Sequence, residues 1–370
     1  MDGSQPNSLS LSSRIKSSLK QPREITSFSI DINNKVQLSD GSLKYFYFPE
    51  NLLDKQIDLC GGFKDFIEKD ESTPQHLNEL LKAIKGYEEK HGENVSADII
   101  TWRGIMTKLL CLPYNKNDDI DLNIEFFDGH IFMEEDHKLK MSKQRHMNER
   151  DKLMCYWGYK FESAATINQP WSQTSREEIE TRLKNPVNNI EQYCSVVKTG
   201  IGNLRIVLGG EVDCVKDYKP TDGRNPLPHY LELKTSSTIR SDFDARKFEN
   251  KIFKAWAQSF LLGVPTIIYG FRDKNGIVRS LEEFKTEEIP AIVKKSDLTP
   301  SNQKWNGMDA IGFYAAILDW IKNTVGTDEN VKWRLQYHRN SEEVQLFRLP
   351  GGEDFLLDEF KQWRLSKRPN

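Results

Sequence analysis

The sequence predicts a mixed α/β (α+β) protein in which largely antiparallel sheets are flanked by helices. Short segments rich in β-branched and aromatic residues recur along the chain, and some are joined by strong turn pairs such as Asp128-Gly129. Between them lie longer stretches with apolar residues at helical spacing, of which 244–262 is the clearest. The 370 residues show no internal repeat and no clear division. We therefore expect a single domain over residues 21–370.

The first part of the chain is predicted to alternate between strands and helices. Residues 1–20 are rich in Ser, Asn, Gln and Lys without an apolar period, so we expect them to be disordered. The remaining elements are predicted as strands at 26–31 and 43–48 around an Asp40-Gly41 turn, helices at 77–87 and from Ser96 to just before Pro113, and a hairpin of strands 122–127 and 130–134.

The second part is predicted in the same way. A helix within 153–166 carries Glu162 and is followed by a polar insert that reaches about residue 189. Further elements are predicted as strands at 204–208, 230–235 and 266–271, helices at 244–262 and 308–324, strands around Trp333 and Leu346, and a last helix near Phe360.

Composition excludes several classes of function. The formal net charge of −3 argues against a globally basic nucleic-acid coat, so an anionic substrate must be held by a local patch. The five cysteines are odd in number and widely spaced, which indicates reduced core thiols of an intracellular protein. The sequence contains no CxxC pair, HExxH motif, dinucleotide fingerprint or Walker loop. It also lacks an apolar run of the ~18–20 residues that span a bilayer, so no membrane partner is expected.

The most informative pattern is an acidic motif divided between two predicted strands. Glu211 and Asp213 end the first strand, and after an interval of 18 residues Glu232 and Lys234 occupy the second. Since side chains alternate along a strand, each pair shares one face. If the two strands pair, three carboxylates and one ammonium group converge in an apolar setting. Such carboxylates raise one another's pKa unless a divalent cation neutralises them, so the motif predicts metal-dependent phosphoryl chemistry.

The arrangement Asp213, then Glu232-Leu-Lys234, is that of nucleases of the PD-(D/E)xK type. The alternative is a pair of solvated edge strands that happen to carry acids. In solvated edge strands, polar residues would alternate with apolar ones. Here Val212, Leu231 and Leu233 place the acids inside longer apolar runs instead. The pattern therefore favours a catalytic core of this type.

Three further residues are ambiguous when each is considered alone. Glu162 has the composition of an ordinary helix-surface glutamate. Arg103 could pair with a carboxylate or bind a phosphate through its planar guanidinium group. Gln258 lies between the apolar stripe of the 244–262 helix and a flank of lysines, where it could hold a phosphate oxygen or cap a packing edge. The flank itself (Lys247, Lys251, Lys254) could be a solvated face or a ridge that follows single-stranded RNA.

Five motifs in sequence order resemble those of the decapping exonuclease (DXO) family, in its fungal nuclear branch. The motifs are Trp102-Arg103-Gly104, Gly158-Tyr-Lys-Phe-Glu162, Gly210-Glu211-Val-Asp213, Glu232-Leu-Lys234-Thr235 and Trp256-Ala-Gln258-Ser-Phe-Leu261. The resemblance runs from about Arg23 to Trp363 and implies that the domain is catalytic.

The resemblance implies a role for each motif residue. The metal ligands, for Mg²⁺ or Mn²⁺ and two ions in all, would be Glu162, Glu211, Asp213, Glu232 and the main-chain carbonyl of Leu233. Lys234 and Gln258 would contact the scissile phosphate, with Glu211 also near the substrate. The remaining substrate-binding positions would be Trp102, Arg103, Gly104 and Cys194, although Cys194 alone would be interpreted as a core thiol.

The resemblance also implies a function, which is quality control of RNA 5′ ends. The expected reactions are pyrophosphate release from 5′-triphosphate RNA and removal of unmethylated or nicotinamide-type caps, which leave 5′-monophosphate RNA. The branch partners a nuclear 5′→3′ exoribonuclease, so binding and stimulation of that enzyme and a nuclear location are expected. Two alternatives remain: a mainly non-catalytic stabilising partner of the exoribonuclease, and a DNA endonuclease that uses the same core.

Overall fold

The computed structural model describes residues 6–349, 351–352 and 354–368. Its strands are β1 (Asn7–Ser10), β2 (Leu19–Ile30), β3 (Val36–Gln37), β4 (Tyr45–Phe46), β5 (Ile99–Trp102), β6 (Ile120–Phe127), β7 (His130–Glu135), β8 (Thr166–Ile167), β9 (Gln192–Ile201), β10 (Leu204–Glu211), β11 (Cys214–Val215), β12 (Tyr230–Ser237), β13 (Thr266–Arg272), β14 (Val278–Lys285), β15 (Lys332–Tyr337) and β16 (Glu343–Leu349). Its α-helices are α1 (Asn78–His91), α2 (Arg103–Cys111), α3 (His137–Arg145), α4 (Glu149–Ala164), α5 (Arg176–Thr181), α6 (Asp242–Leu262), α7 (Ile289–Lys295), α8 (Gly307–Val325) and α9 (Asp358–Ser366).

The strands form two sheets, and this confirms the predicted mixed class. The larger sheet has ten strands in the order β1-β16-β15-β6-β7-β5-β10-β9-β2-β3, and the smaller has six in the order β14-β13-β12-β11-β4-β8. Most neighbours are antiparallel. The parallel pairs are β5 with β7, β5 with β10, β11 with β4 and β12 with β13.

The main core lies between the sheets and the helices α2, α6 and α8, which pack together. The apolar stripe predicted for 244–262 is buried, with Trp256 at 2% exposure and Leu261 at 0%. The same cluster contains Leu208 of the large sheet and Ile267 of the small one. Burial of apolar surface therefore fixes the two sheets against each other and holds the residues at their junction in place.

The N-terminal segment corrects one expectation. Residues 7–10 form β1, which pairs with β16, and Leu11 is buried. The guanidinium of Arg14 donates to Asp309 on α8 at 2.8 Å. The expectation of disorder is wrong for residues 6–20, because a polar segment can complete a distant sheet edge that its local composition does not reveal. Residues 1–5 lie outside the described residues.

Two local predictions were also wrong. The helix expected from Ser96 begins only at Arg103, since Ile99 and Ile100 belong to β5, buried between β7 and β10. A short apolar run with β-branched residues fits a buried strand as well as a helix. The expected hairpin around Asp40-Gly41 does not form either, because β2 pairs with β3 whereas β4 belongs to the smaller sheet.

The hairpin of β6 and β7 is confirmed. Asp128 (φ 48°) and Gly129 (φ 83°) both lie in the left-handed region that this two-residue turn requires.

The five cysteines are free. Cys111, Cys194 and Cys214 are buried as core thiols, whereas Cys155 is exposed on α4. Within the described parts of the chain, each helix is too short or too polar to cross a membrane.

Candidate active site

The chain crosses from the larger sheet to the smaller one within the acidic motif. β10 ends at Glu211 in the larger sheet, and β11 begins at Cys214 in the smaller. Between them Val212 is buried, and its N–H donates to the carbonyl of Tyr193 at 2.9 Å. β11 then pairs antiparallel with β12, with Cys214 opposite Leu231. β10 and β12 do not pair directly, so the condition stated for the motif strands is met only through β11: the acids converge because the chain changes sheets between Glu211 and Cys214.

Glu232 is the most deeply buried acid of the motif, at 1% exposure. Its Oε1 lies 2.5 Å from Nζ of Lys234, and its Oε2 accepts from Nη1 of Arg103 at 3.5 Å. Burial raises the pKa of Glu232, but the two cations outweigh burial and hold the pKa below its usual range. Burial lowers the pKa of Lys234, yet the charges of Glu232 and Asp213 raise it above its ordinary value, so Lys234 stays protonated.

The other three carboxylates resist ionisation. Burial, together with the charges of Glu232 and Glu211, raises the pKa of Asp213 to about 7, although its Oδ2 accepts the N–H of Leu233 at 2.6 Å. Burial and the charges of Asp213 and Glu211 raise the pKa of Glu162 well above its usual range. Burial likewise raises the pKa of Glu211. If all four acids were ionised, the set would carry more negative charge than Arg103 and Lys234 balance, which is the condition that a bound cation relieves.

Glu162 reaches this cluster at the C-terminal end of α4. The helix begins with a capping box in which Asn148 and Asp151 exchange hydrogen bonds, and it packs against β12. Its Phe161 is fully buried against Gly270 of β13, where an added Cβ would lie 2.5 Å from the Phe161 ring. The close approach that Gly270 allows therefore fixes the position of Glu162, the next residue along the helix.

The donor chemistry fits a hard divalent cation. The oxygens of Glu162, Glu211, Asp213 and Glu232 are the type that Mg²⁺ and Mn²⁺ prefer. Among the described residues, no three His, Cys, Asp or Glu side chains are already arranged around a common point as metal ligands are. Glu232 is paired with Lys234 and Arg103 instead, so metal binding requires the carboxylates to turn towards a common centre. The carbonyl of Leu233 as a ligand stays a prediction.

Two cavities meet at Glu211. The first, of about 220 Å³, is lined by Glu162, Glu211 and Asp213 and also by the cations Lys44 and Arg182. The second, of about 370 Å³, is lined by four of the predicted substrate-binding residues, Trp102, Arg103, Gly104 and Cys194, together with Glu211. The structure thus brings the sequence-predicted residues together on both sides of one carboxylate.

Gln258 does not line either cavity, and its register on α6 gives its position. Lys251, on the same helical face, donates to the carbonyl of Thr235 on β12 at 2.7 Å. Gln258 lies seven residues further on, which is about 10 Å along a helix and matches about three residues of strand. Because α6 connects the parallel strands β12 and β13, it runs back along β12. Gln258 therefore lies level with Glu232 rather than with the end of the strand.

The lysine flank does not form one ridge. Lys251 turns inward to β12, Lys247 lies over the Phe243 ring at 4.2 Å, and Lys254 lines a small separate cavity beside Lys108. Only part of this set is free to follow a nucleic-acid backbone. Of the two interpretations of this flank, a continuous ridge does not fit the arrangement of the three side chains.

Sequence reasoning missed several lining residues. Gln192 lines both cavities, while Lys69, Lys108 and Lys140 line the second. Arg182 lines the first from within the polar insert. The four basic residues carry no local signal, because each is a common residue type outside the predicted motifs. Only Gln192 could have been found, because it lies two residues before the predicted substrate-binding Cys194.

Similarity to known proteins extends over nearly the whole chain. The model of the family described as RAI1 like PD-(D/E)XK nuclease matches residues 20–361. A decapping nuclease RAI1 of Candida albicans is 45% identical over 97% of this chain and 98% of its own length.

Solved structures show the same likeness. The crystal structure of Candida albicans Rai1 in complex with pU5-Mn²⁺ has a TM-score of 0.92 and 44% identity, and the match covers 98% of this chain and 100% of that one. The crystal structure of Scheffersomyces stipitis Rai1 in complex with (3′-NADP)⁺ and calcium ion has a TM-score of 0.89 and 39% identity, with 97% and 100% covered.

Proposed function

Because this chain belongs to the RAI1-like PD-(D/E)XK nuclease family, we propose that it is a divalent-metal-dependent hydrolase of RNA 5′ ends. It releases pyrophosphate from 5′-triphosphate RNA and removes unmethylated or nicotinamide-type caps, and both reactions leave a 5′-monophosphate. The observation that carries the proposal is the buried carboxylate cluster beside Lys234, at the point where two cavities meet.

The charges of the two cavities indicate how the substrate lies. The second cavity is lined by four cations (Arg103, Lys69, Lys108 and Lys140) and four acids, whereas the first is lined by two cations and five acids, so the second suits the phosphates of an RNA strand better. Trp102 in the same wall offers a ring on which a base can stack. The RNA body therefore occupies the second cavity, and the leaving group occupies the first.

Each protein residue then has a defined task. Bound Mg²⁺ or Mn²⁺, as a pair of ions, supplies charge neutralisation and lowers the pKa of a coordinated water. Glu162, Glu211, Asp213 and Glu232 hold the ions. Lys234 would bind a phosphate oxygen through its ammonium group, and Gln258 would support the same phosphate. A water oxygen bonds to the phosphorus as the bond to the leaving oxygen breaks, and the water proton passes to solvent.

Related proteins support the substrate class. Complexes of two of them with pU5-Mn²⁺ and with (3′-NADP)⁺ and calcium ion combine an RNA strand or a nicotinamide dinucleotide with a divalent cation. Binding and stimulation of a nuclear 5′→3′ exoribonuclease, together with nuclear location, form part of the proposal on the sequence resemblance alone. A 5′-monophosphate end is the product that such an exoribonuclease requires.

The test is the double variant Glu211→Ala/Asp213→Ala, assayed for pyrophosphate release from triphosphorylated RNA with Mn²⁺. We expect a rate loss of about 10³-fold or more, since the ions lose two ligands. The matched control is Asp217→Ala/Glu287→Ala, which removes two exposed acids that do not line either cavity. Unchanged release by the first variant would show that the catalytic assignment is wrong.

Two further readouts separate the alternatives. Stimulation of the exoribonuclease by the inactive variant would place that role on a different surface. Cleavage of a DNA oligonucleotide as fast as RNA of the same sequence would instead support the DNA endonuclease alternative.

A further inference from the structure

The first cavity is lined by a buried cation whose hydrogen-bond donors are only partly satisfied. Arg182 is 7% exposed and lines this cavity together with Glu162, Glu211 and Asp213. Its Nη1 donates to the carbonyl of Ile179, but Nε and Nη2 have no hydrogen-bond partner among the described residues. Buried guanidinium groups are nearly always paired, because an unsatisfied charged donor loses its hydration without compensation. This arrangement is costly in the free protein and becomes favourable when an anion enters.

The surroundings of Arg182 hold it in place for such a ligand. Its guanidinium lies over the ring of Tyr47, with Cζ 5.1 Å from the centroid. Burial lowers the pKa of Arg182, and the described residues place no carboxylate near enough to compensate. Lys44, which lines the same cavity, is held by Asn168 at 2.6 Å. The remaining charged lining residues are acids, so Arg182 and Lys44 are the positive part of this cavity.

We propose that Arg182, assisted by Lys44, binds the phosphates of the leaving group. The inference rests on the proposed function, which places the leaving group in the first cavity, and it deepens that function by naming the residues that recognise it. The ligand class is a polyphosphate: the pyrophosphate released from a triphosphate end, or the bridging phosphates of a cap. Arg182 suits this role because Nε and Nη2 form the edge of the guanidinium group that binds two phosphate oxygens at once. Both atoms are buried in the free protein, so the Arg182 side chain must shift towards the cavity when the ligand binds.

The test compares the two sides of the scissile phosphate in Arg182→Gln. The probes are inorganic pyrophosphate, as a product inhibitor in Mg²⁺, and a 5′-monophosphate pentanucleotide. We expect the pyrophosphate inhibition constant and the KM for triphosphate RNA to rise about tenfold to a hundredfold, as the loss of a charged hydrogen bond predicts. Pentanucleotide affinity should be unchanged. Equal weakening of both probes, or of neither, overturns the proposal.

Two controls separate this role from a structural one. Lys184→Gln removes an exposed cation two residues away that does not line the cavity, and it should leave both constants as in the wild type. Arg182→Lys keeps the charge but loses the paired N–H donors of the guanidinium group. The inhibition constant of pyrophosphate should therefore rise at least threefold, and this variant is informative even if Arg182→Gln does not fold. A lower melting temperature with wild-type constants in either variant would show that Arg182 only supports the insert.

The outcome is also separable from that of the proposed function. If the wild-type protein releases no pyrophosphate from triphosphate RNA, the proposed function fails. Calorimetric titration of pyrophosphate in Mg²⁺ then decides the subsite by itself. Binding by the wild type that Arg182→Gln loses supports the subsite, and equal binding by both overturns it.

Discussion

The ammonium group of Lys234 lies 2.5 Å from Oε1 of Glu232, two residues earlier on the same strand. This ion pair lies among acids that are expected to bind metal, so Lys234 competes with a cation for Glu232. Removing the ammonium group of Lys234 should therefore lower the rate of hydrolysis without weakening metal binding.

The first prediction concerns Lys234→Met. Pyrophosphate release should fall by about 10²–10³-fold, because the transferred phosphate loses a fixed positive charge. Mn²⁺ should bind at least as tightly as in the wild type, since Glu232 is freed. Stopped-time assays and calorimetric titration with Mn²⁺ measure the two effects, with the exposed Lys216→Met as control. Loss of Mn²⁺ binding together with activity would contradict this division.

The second prediction compares two glycine variants. Gly270→Ala places a Cβ 2.5 Å from the Phe161 ring, so α4 must shift and move Glu162. We expect a destabilisation of about 1–3 kcal/mol and weaker Mn²⁺ binding. Gly158→Ala, within α4 itself, meets nothing within 4 Å and should stabilise the protein by up to about 1 kcal/mol. Urea unfolding and Mn²⁺ titration check both. Equal Mn²⁺ affinity in the two variants would show that Phe161 does not position Glu162.

The third prediction concerns the buried ion pair between Arg364 on α9 and Glu88 on α1. Both side chains are 0% exposed, with Nη2–Oε1 at 2.5 Å and Nε–Oε2 at 2.9 Å. Arg364→Met should cost about 3–5 kcal/mol of unfolding free energy, because Glu88 is left as an unpaired buried charge. Adding Glu88→Gln should recover part of this cost. If the double variant is as unstable as the single one, lost packing is the cause instead.

The fourth prediction is a pH dependence at Asp98. Burial raises its pKa, but hydrogen bonds from Arg205 (2.8 Å to the N–H) and Lys322 (3.0 Å) outweigh burial and hold the pKa well below 3.8. A lowered folded pKa stabilises the protein above the unfolded pKa of about 3.9, and this contribution is lost as the pH falls below it. Asp98→Asn should therefore cost about 1–3 kcal/mol at pH 7 and less at pH 3. Urea unfolding at both pH values measures it, and an equal cost at both would refute the assignment.

Much of the fold and the site could be predicted from the sequence. Helix α6 was predicted within two residues because its apolar period is long and a glycine ends it. The acids were found because strand alternation places Glu232 and Lys234 on one face. In each case the signal lies within a few residues of the feature.

The remaining features depend on contacts between distant parts of the chain. β1 exists only because β16 offers an edge more than 300 residues away. β5 is a strand because β7 and β10 enclose it, although its residues also fit a helix. Arg182 could not be singled out from the sequence, because it shares a cavity with Glu211 and Asp213 only in the folded protein. No local pattern records such neighbours.

The change of sheets at Val212 has a consequence for truncated forms of this protein. Its acids come from a helix and from both sheets, so neither half of the molecule holds a working set. A fragment that stops before β12 would keep Glu162, Glu211 and Asp213 yet have no Glu232 or Lys234 to complete them. Activity should therefore arise only once the whole chain has folded, and a nascent or clipped polypeptide should be harmless to RNA.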